Sequence, residues 1–173
     1  SHTRKISKHF YPSTDYSNQG IDQLQNCIDL IKNDSYSRRI FMTAWNPVQL
    51  NEMVLPPCHV SYQFYVSKDK KLSCQMYQRS GDMFLGVPYN IASYSFLTYI
   101  FAHLTGYKPG KLIHIIGDAH IYDNHIEQCK KQITRKPRVL PRVRINKSVK
   151  SIFDYKFEDF DLINYDPHNH IPA

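Results

Sequence analysis

Glycine is sparse in this sequence, with six residues in a chain of 173. No segment is low in complexity, no internal repeat is visible, and no apolar run reaches the ~20 residues that are needed to cross a bilayer. These absences argue against a repeat protein, a disordered chain and an integral membrane protein. They leave a folded globular protein, which we expect to be one domain over residues 1–173.

Cysteine is also rare, and no two of the four cysteines form a C-x-x-C pair. The amino end does not resemble a signal peptide or a transit sequence. We therefore expect free thiols in a soluble protein of a reducing compartment, the cytoplasm. The four thiols belong to Cys27, Cys58, Cys74 and Cys129.

Patterns for metals and for common cofactors are missing as well. Zinc needs three or four converging ligands, and neither the adjacent Cys58-His59 nor the His-x4-His spacing within residues 117–125 is a familiar ligand pattern. The glycines of GDMFLG, residues 81–86, do not form a phosphate loop between a strand and a helix. We expect no metal and no ATP or nicotinamide site.

The charge is basic, with 22 Lys+Arg against 15 Asp+Glu and a net charge of +7. This balance suggests anionic partners but does not distinguish nucleic acid from nucleotides. The densest basic run, residues 134–150, is typical of a solvated edge strand, so nucleic-acid binding is the minor hypothesis.

Hydrophobic periodicity mixes helices and strands without a regular βαβ alternation, which predicts an α+β fold. Ile21, Leu24, Ile28 and Ile31 repeat at helical spacing and predict a first helix from Gly20 to about Asn33. Residues 1–17 show no period and are expected to be irregular. The remaining predictions are strands at 39–45, 60–67, 72–79, 111–117 (buried), 139–146 and 161–165, and helices at 87–105, ending before Gly106, and at 122–135.

A hairpin of residues 60–67 and 72–79 gives the first site prediction. Pairing positions that sum to 138 keeps one apolar face and places His59 opposite Arg79 and Cys58 opposite Ser80. A thiol becomes a nucleophile when a positive neighbour favours the thiolate, and Arg79 supplies that neighbour to Cys58. The other three cysteines lie on faces of predicted elements and are expected in the core.

Three further pairs are candidates for binding. Arg79 and Ser80 in QRSGD suit an anion such as phosphate, because they combine a guanidinium fork with a hydroxyl. Arg38 and Arg39 begin a predicted strand, so their side chains point to opposite faces, one toward its own chain and one toward a partner. His120 and Tyr122 alternate just after a strand and suit a sugar hydroxyl.

Long ordered segments together resemble the thymidylate synthases, from about Gly20 to His168. They are SRRIFMTAWNP (37–47), LPPCH (55–59), QFYV (63–66), LSCQMYQRSGDMFLGVPYNIASY (72–94), GDAHIYDNH (117–125) and FDYKFEDF (153–160). The resemblance implies a mixed sheet with packing helices, and a homodimer in which the sheets stack back to back. It implies reductive methylation of dUMP to dTMP through addition of Cys58 to C6 of uracil. The co-substrate 5,10-methylenetetrahydrofolate would supply both carbon and hydride.

The resemblance also assigns roles to individual residues. Arg79 and Ser80 match phosphate ligands, and Arg38 and Arg39 match the pair that reaches the phosphate across the dimer interface. Asn90 matches the amide that accepts from N3 and donates to O4 of uracil, where related deoxycytidylate hydroxymethylases have an acid. The other matches are His120 and Tyr122 to the deoxyribose 3′-hydroxyl ligands, His59 and Gln78 to the hydrogen-bond network around the nucleotide, Asp82 to a pterin contact, and Leu85 and Gly86 to the wall between nucleotide and folate.

The family's amino-terminal part has no counterpart in this resemblance. That part holds a phosphate-loop arginine, the glutamate that organises proton transfers, the folate-side tryptophans and a YGxQWR segment. A truncated homologue that binds dUMP without turnover therefore stays open as an alternative to a thymidylate synthase. A pyrimidine-nucleotide hydroxymethylase is the second and less favoured alternative.

Overall fold

The structure is a computed structural model that describes residues 20–173, so the expected irregular segment at 1–17 lies outside the described residues. It confirms the mixed α+β class. The elements are α1 (Gln23–Asn33), β1 (Phe41–Thr43), β2 (His59–Val66), β3 (Lys71–Asp82), α2 (Gly86–Thr105), β4 (Lys108–His120), α3 (Ile126–Ile133), β5 (Arg142–Ile145) and β6 (Phe160–Ile163).

The main sheet has four strands in the order β1-β2-β3-β4. β1 and β2 pair antiparallel, β2 and β3 form the predicted hairpin, and β3 and β4 run parallel. Parallel neighbours need a long crossover, and α2 provides it. β5 and β6 form a separate antiparallel pair. The carboxyl ends of β3 and β4 therefore meet at one sheet edge, close to the start of α2.

The core lies on one face of the sheet, where alternate strand residues meet the apolar sides of α1 and α2. Phe64 of β2 packs against Phe101 of α2, with ring centroids 4.9 Å apart. The first helix begins at Gln23, because Asp22 caps it by accepting a hydrogen bond from Gln25 N. Ile21 consequently precedes the helix and is exposed, contrary to the predicted apolar stripe.

The second helix ends where the sequence predicts. Gly106 has a φ of 76°, a left-handed conformation that glycine adopts without a steric penalty, and its N–H closes the last turn onto Ala102 O and His103 O. Tyr107 N also donates to Ala102 O, at 2.9 Å. The chain then enters β4 directly, which brings β4 alongside β3.

The predicted hairpin register is confirmed from Ser61 to Val66 and is wrong at its open end. Tyr62 pairs with Met76, but a bulge between His59 and Ser61 sets His59 opposite Gln78. Arg79 N donates to Cys58 O at 2.8 Å, so Cys58 lies opposite Arg79 and not opposite Ser80. The bulge adds one residue to β2, so the residues before it, His59 and Cys58, are each displaced by one place along β3 from the predicted register.

The opposite face of the main sheet is not covered by any other part of residues 20–173. Tyr65, Tyr77, Ile113 and Ile115 all lie on it and are 42–61% exposed. The prediction that residues 111–117 form a buried strand is therefore wrong for the isolated chain. β4 has one strand neighbour, and only its inner face packs on α2.

The remaining elements are shorter than predicted. The helix expected at 122–135 is a 3₁₀ turn, Asp123–His125, followed by α3. In β5 the alternate residues Arg142 and Arg144 are exposed, as expected of a solvated strand. Among residues 20–173, none of the helices combines the length and apolarity that crossing a membrane requires.

Candidate active site

A cavity of about 390 Å³ opens where the carboxyl ends of β3 and β4 meet the start of α2 and the loop before β2. Its size suits a small ligand. The structure brings most of the predicted site residues into this one cavity. Its lining consists of Leu55, Pro56, Pro57, Cys58, His59, Gln78, Ser80, Asp82, Gly86, Asn90, His120 and Tyr122.

Cys58 lies beside the guanidinium of Arg79, with Nη2 3.9 Å from Sγ. The same side chain holds the loop, because Nε donates to Pro57 O at 3.0 Å and Nη2 donates to Pro56 O at 2.8 Å. The indole of Trp45 lies on the guanidinium, 5.8 Å from ring centroid to Cζ. The guanidinium therefore contacts the sulfur, two carbonyls of the loop and an aromatic ring at the same time.

Cys27 and Cys74 lie in a different environment. Both are buried in the core, as predicted, and burial raises the pKa of the Cys27 thiol to about 11 and that of Cys74 to about 12. At neutral pH both thiols are therefore almost wholly protonated. Cys129 is partly exposed on α3 and does not line the cavity.

His59 is held by two tyrosines that the sequence did not indicate. Its Nδ1 lies 2.6 Å from the hydroxyl of Tyr94 and 2.9 Å from that of Tyr62, which also donates to His59 O. The two phenol rings stack with centroids 4.5 Å apart. Burial lowers the pKa of the His59 imidazole, which favours the neutral ring. Since Nδ1 is occupied, Nε2 is the nitrogen left to meet a ligand.

The buried side chain of Gln78 and the partly buried side chain of Asn90 form an amide pair at the cavity. Gln78 is 2% exposed, and its Nε2 donates to Asn90 Oδ1 at 3.0 Å and to Ser80 O at 2.9 Å. Its Oε1 lies 2.8 Å from His114 Nε2. The Nδ2 group of Asn90 and one lone pair of its Oδ1 remain for a ligand.

His120 and Tyr122 lie together at the end of β4, with their rings edge to face and 5.1 Å apart. His120 Nδ1 is 3.0 Å from Asp118 Oδ1. Because an ionised carboxylate only accepts hydrogen bonds, this contact places a proton on Nδ1. The other ring nitrogen and the Tyr122 hydroxyl can then meet a hydroxyl group of a ligand.

Asp82, Leu85 and Gly86 form the segment between β3 and α2. Asp82 Oδ1 accepts from Phe84 N at 3.1 Å, which satisfies a backbone donor just before the helix. Asp82 and Gly86 line the cavity, whereas Leu85 is the partly exposed residue that precedes α2 and is outside the lining.

Arg38 and Arg39 are not brought to this cavity. Arg38 lines a cavity of about 950 Å³ on the uncovered sheet face, and Arg39 lines one of about 920 Å³ beside α1. The two side chains therefore point to different sides of the chain, as their adjacency predicts. Arg79 is also outside the lining, although it touches Cys58.

Sequence reasoning missed four residues that support the site. Tyr62, Tyr94 and His114 are polar side chains at inward positions of elements that otherwise look apolar, and this was the available signal. Trp45, which stacks on Arg79, had no distinguishing sequence pattern. Within the part of the chain that the structure describes, no three His, Cys, Asp or Glu side chains converge as metal ligands would.

Comparison with known proteins identifies relatives of this chain. Residues 2–173 match the family model described as "Thymidylate synthase", a longer match than the resemblance from Gly20 to His168. The chain is 59% identical to the thymidylate synthase of Homo sapiens, over 90% of this chain and 49% of that protein. It is 58% identical to those of equine herpesvirus 2 (strain 86/87), over 92% and 55%, and human herpesvirus 8 type P (isolate GK18), over 89% and 45%. The chain spans about half the length of the curated relatives it matches.

Proposed function

The chain belongs to the thymidylate synthase family, and we propose that it carries the nucleotide-binding and nucleophilic part of an enzyme that methylates dUMP to dTMP. The observation that carries the proposal is the Cys58 thiol, which lies 3.9 Å from the Arg79 guanidinium at a cavity that the Asn90 amide also lines. Cys27 and Cys74, which stay protonated in the core, cannot take this role.

Cys58 is the nucleophile in this proposal. Its thiolate adds to C6 of uracil, the C5–C6 double bond opens, and C5 becomes the carbon nucleophile. Asn90 holds the base, accepting from N3–H and donating to O4, where negative charge develops. C5 attacks the methylene group of the folate, the C5 proton leaves to solvent, and the bond between the methylene carbon and the folate nitrogen breaks. Hydride transfer from the folate to that carbon then completes the methyl group and expels Cys58 from C6 as the thiolate. The products are dTMP and dihydrofolate.

Phosphate and sugar contacts place C6 against the sulfur. Arg79 has Nη1 without a hydrogen bond to residues 20–173, and Ser80 follows it on the cavity wall, so both can donate to phosphate oxygens. His120 and Tyr122 bind the 3′-hydroxyl of the deoxyribose. These contacts fix the nucleotide at two points remote from the reacting carbon, which orients it for attack.

The co-substrate 5,10-methylenetetrahydrofolate supplies the methylene carbon and the hydride when it is bound. Gly86 leaves room for it, because a Cβ there would lie 3.5 Å from Asp82 Cβ and 3.9 Å from Asn90 Oδ1. The Asp82 carboxylate can accept a hydrogen bond from the N–H groups of a pterin. Leu85 adds apolar surface beside them, and no nicotinamide is needed for the hydride.

The partner in this proposal is a second copy of the chain, stacked on the uncovered sheet face. Tyr65, Tyr77, Ile113 and Ile115 give that face an apolar centre, which a monomer would leave in water. Arg38 lines a cavity on the same face, so it can reach the phosphate site of the partner. Arg39 lines the cavity beside α1 and would have to turn toward the partner to join it. A cytoplasmic location in a reducing environment suits the accessible thiol of Cys58.

A covalent-trapping experiment tests the nucleophile. The full-length protein is mixed with 5-fluoro-dUMP and methylenetetrahydrofolate, and its mass is measured under denaturing conditions. We expect a ternary adduct on Cys58, since the fluorine cannot leave as the C5 proton does. Cys129→Ser, which changes a thiol outside the cavity, should form the adduct, and Cys58→Ser should not. An adduct that persists in Cys58→Ser would show that Cys58 is not the nucleophile. Absence of the adduct on folded wild-type protein would favour a protein that binds dUMP without turnover.

A second experiment tests the dimer. Ile115→Glu places a charge in the centre of the uncovered face and is expected to convert the protein to monomers in sedimentation velocity. Ile133→Glu is the matched control, because Ile133 is 82% exposed on α3 and lies away from that face. Dimers of unchanged affinity in Ile115→Glu would show that the copies associate elsewhere.

A further inference from the structure

His114 contacts the base-reading amide through one intermediate residue. It lies on β4 next to Met76 of β3, and its Nε2 is 2.8 Å from Gln78 Oε1. Gln78 in turn donates to Asn90 Oδ1 at 3.0 Å. His114 does not line the cavity, so its link to a ligand passes through Gln78 and Asn90.

A backbone carbonyl determines which atom donates and which accepts in the contacts from His114 through Gln78 to Asn90. Ser80 O can only accept, so the Gln78 atom 2.9 Å from it must be Nε2. Gln78 Oε1 therefore faces His114, and His114 Nε2 must carry a proton to make the contact. Burial lowers the pKa of His114, and its neutral ring then holds the proton on Nε2.

This order fixes Asn90 before any ligand binds. The second N–H of Gln78 Nε2 points at Asn90, so Asn90 must present Oδ1 to it. The Nδ2 donor and the second lone pair of Oδ1 then face N3–H and O4 of uracil as a matching set. Cytosine has an acceptor at N3 and a donor at N4, so the same amide would meet it with donor against donor. Accommodating cytosine would require Asn90 to turn over and lose Gln78.

We propose that His114 is a positioning residue for nucleobase selectivity: by donating to Gln78 it holds the Asn90 amide in the orientation that accepts uracil and rejects cytosine. The inference rests on the proposed function, because it concerns the same nucleotide site. It adds to that function a residue outside the cavity that determines which pyrimidine the enzyme accepts.

Binding of dUMP and dCMP to the full-length protein tests this role. His114→Phe keeps a ring but removes the hydrogen-bond donor. We expect dUMP to bind more weakly and dCMP to bind relatively better, so that the ratio of the dCMP to the dUMP dissociation constant falls about tenfold. His114→Gln places an amide N–H at similar reach and should restore the ratio. His103→Phe is the matched control, since His103 contacts Lys147 O on an exposed surface.

A selectivity ratio unchanged in His114→Phe would overturn the proposal, including the case in which both affinities fall equally. A wild-type measurement decides the point even if His114→Phe does not fold. The ¹⁵N shifts of the His114 ring should report the Nε2–H tautomer near neutral pH, and the Nδ1–H tautomer would refute the inference. The proposed function fails separately, if folded wild-type protein binds neither nucleotide.

Discussion

Alkylation of the native protein with iodoacetamide is expected to separate its cysteines by environment. Cys58 lies at an open cavity beside a guanidinium, whereas Cys27 and Cys74 are 1% and 0% exposed. Only a thiolate reacts at a useful rate, so the ionised fraction and the exposure both matter. We expect rapid modification of Cys58 and almost none of the two core thiols.

The pKa values give the size of the difference. At about pH 8, a thiol with a pKa of about 11, as for Cys27, is ionised to about one part in 10³, and one with a pKa of about 12, as for Cys74, to about one part in 10⁴. An ordinary free thiol with a pKa of ~8.5 is about one-quarter ionised. Cys27 should therefore react about 200-fold and Cys74 about 2,000-fold more slowly than an ordinary thiol, even before steric protection is considered.

The assay uses a short reaction, a quench, and unfolding in an isotopically distinct reagent that labels the remaining thiols. Peptide mass spectrometry then gives the modified fraction at each cysteine. Saturating dUMP should protect Cys58 and leave Cys129 unchanged, because Cys129 is partly exposed on α3 outside the cavity. Modification of Cys27 or Cys74 within tenfold of Cys129 would refute the burial argument. Equal rates at Cys58 with and without dUMP would refute its place in the nucleotide site.

Three other perturbations have defined outcomes. Asn90→Asp should reverse base preference by at least about tenfold toward dCMP in competition binding, because the protonated acid can complement the cytosine edge; unchanged preference would exclude Asn90 as the base reader. Burial lowers the pKa of His59 in the folded protein, so the free energy of unfolding declines as the pH falls below the unfolded pKa of ~6.5. His59→Gln should lessen this decline in urea titrations between about pH 7 and 5. The same dependence of unfolding free energy on pH in the variant and the wild type would contradict this. Gly81→Ala would place a Cβ 2.9 Å from Ile116 Cγ2 and 3.1 Å from Val87 Cγ2. This crowding should lower the free energy of unfolding by about 1–3 kcal/mol. An unchanged urea midpoint would show that these two side chains move aside.

The apolar patterns of the sequence were sufficient for the core of the fold. Alternation in β2 and β3 predicted their inner faces, and the register of Tyr62 with Met76 followed from burial alone. The stop of α2 at Gly106 followed from the freedom of glycine to take a positive φ. These features depend on local chemistry or on two neighbouring strands.

Features that depend on a third element were not predictable in this way. Beside the bulge, the Val60 carbonyl accepts hydrogen bonds from Ala44 N and Thr43 Oγ1. The predicted pairing considered β2 and β3 alone, so it could not include these contacts with β1 and the residue that follows it. The contact of His114 with Gln78 likewise requires β4 to lie parallel to β3, which the sequence pattern did not establish. The exposed Ile115 follows from the lack of a packing layer on the outer sheet face among residues 20–173, since Tyr77 on the inner strand β3 is exposed to the same degree.

The candidate site residues were chosen from motifs, but the motifs did not predict how these residues are arranged. Cys58 and Arg79 are neighbours in the structure, yet the predicted pairing of Cys58 with Ser80 was wrong by one position. The assignment of the nucleophile nevertheless stays the same, because a long arginine side chain reaches the sulfur from the adjacent position.

The hydrogen bonds of Arg79 to two proline carbonyls affect how mutations there will behave. Pro56 and Pro57 have no N–H, so these two residues cannot donate backbone hydrogen bonds that would fix the turn before Cys58 to the sheet. A side chain from the neighbouring strand does so instead, through Nε and Nη2. Removing Arg79 would thus free the turn as well as discharge the surroundings of the sulfur. Loss of activity in an Arg79 variant would therefore reflect two effects together: loss of the hydrogen bonds that hold the turn, and loss of the positive charge beside the sulfur.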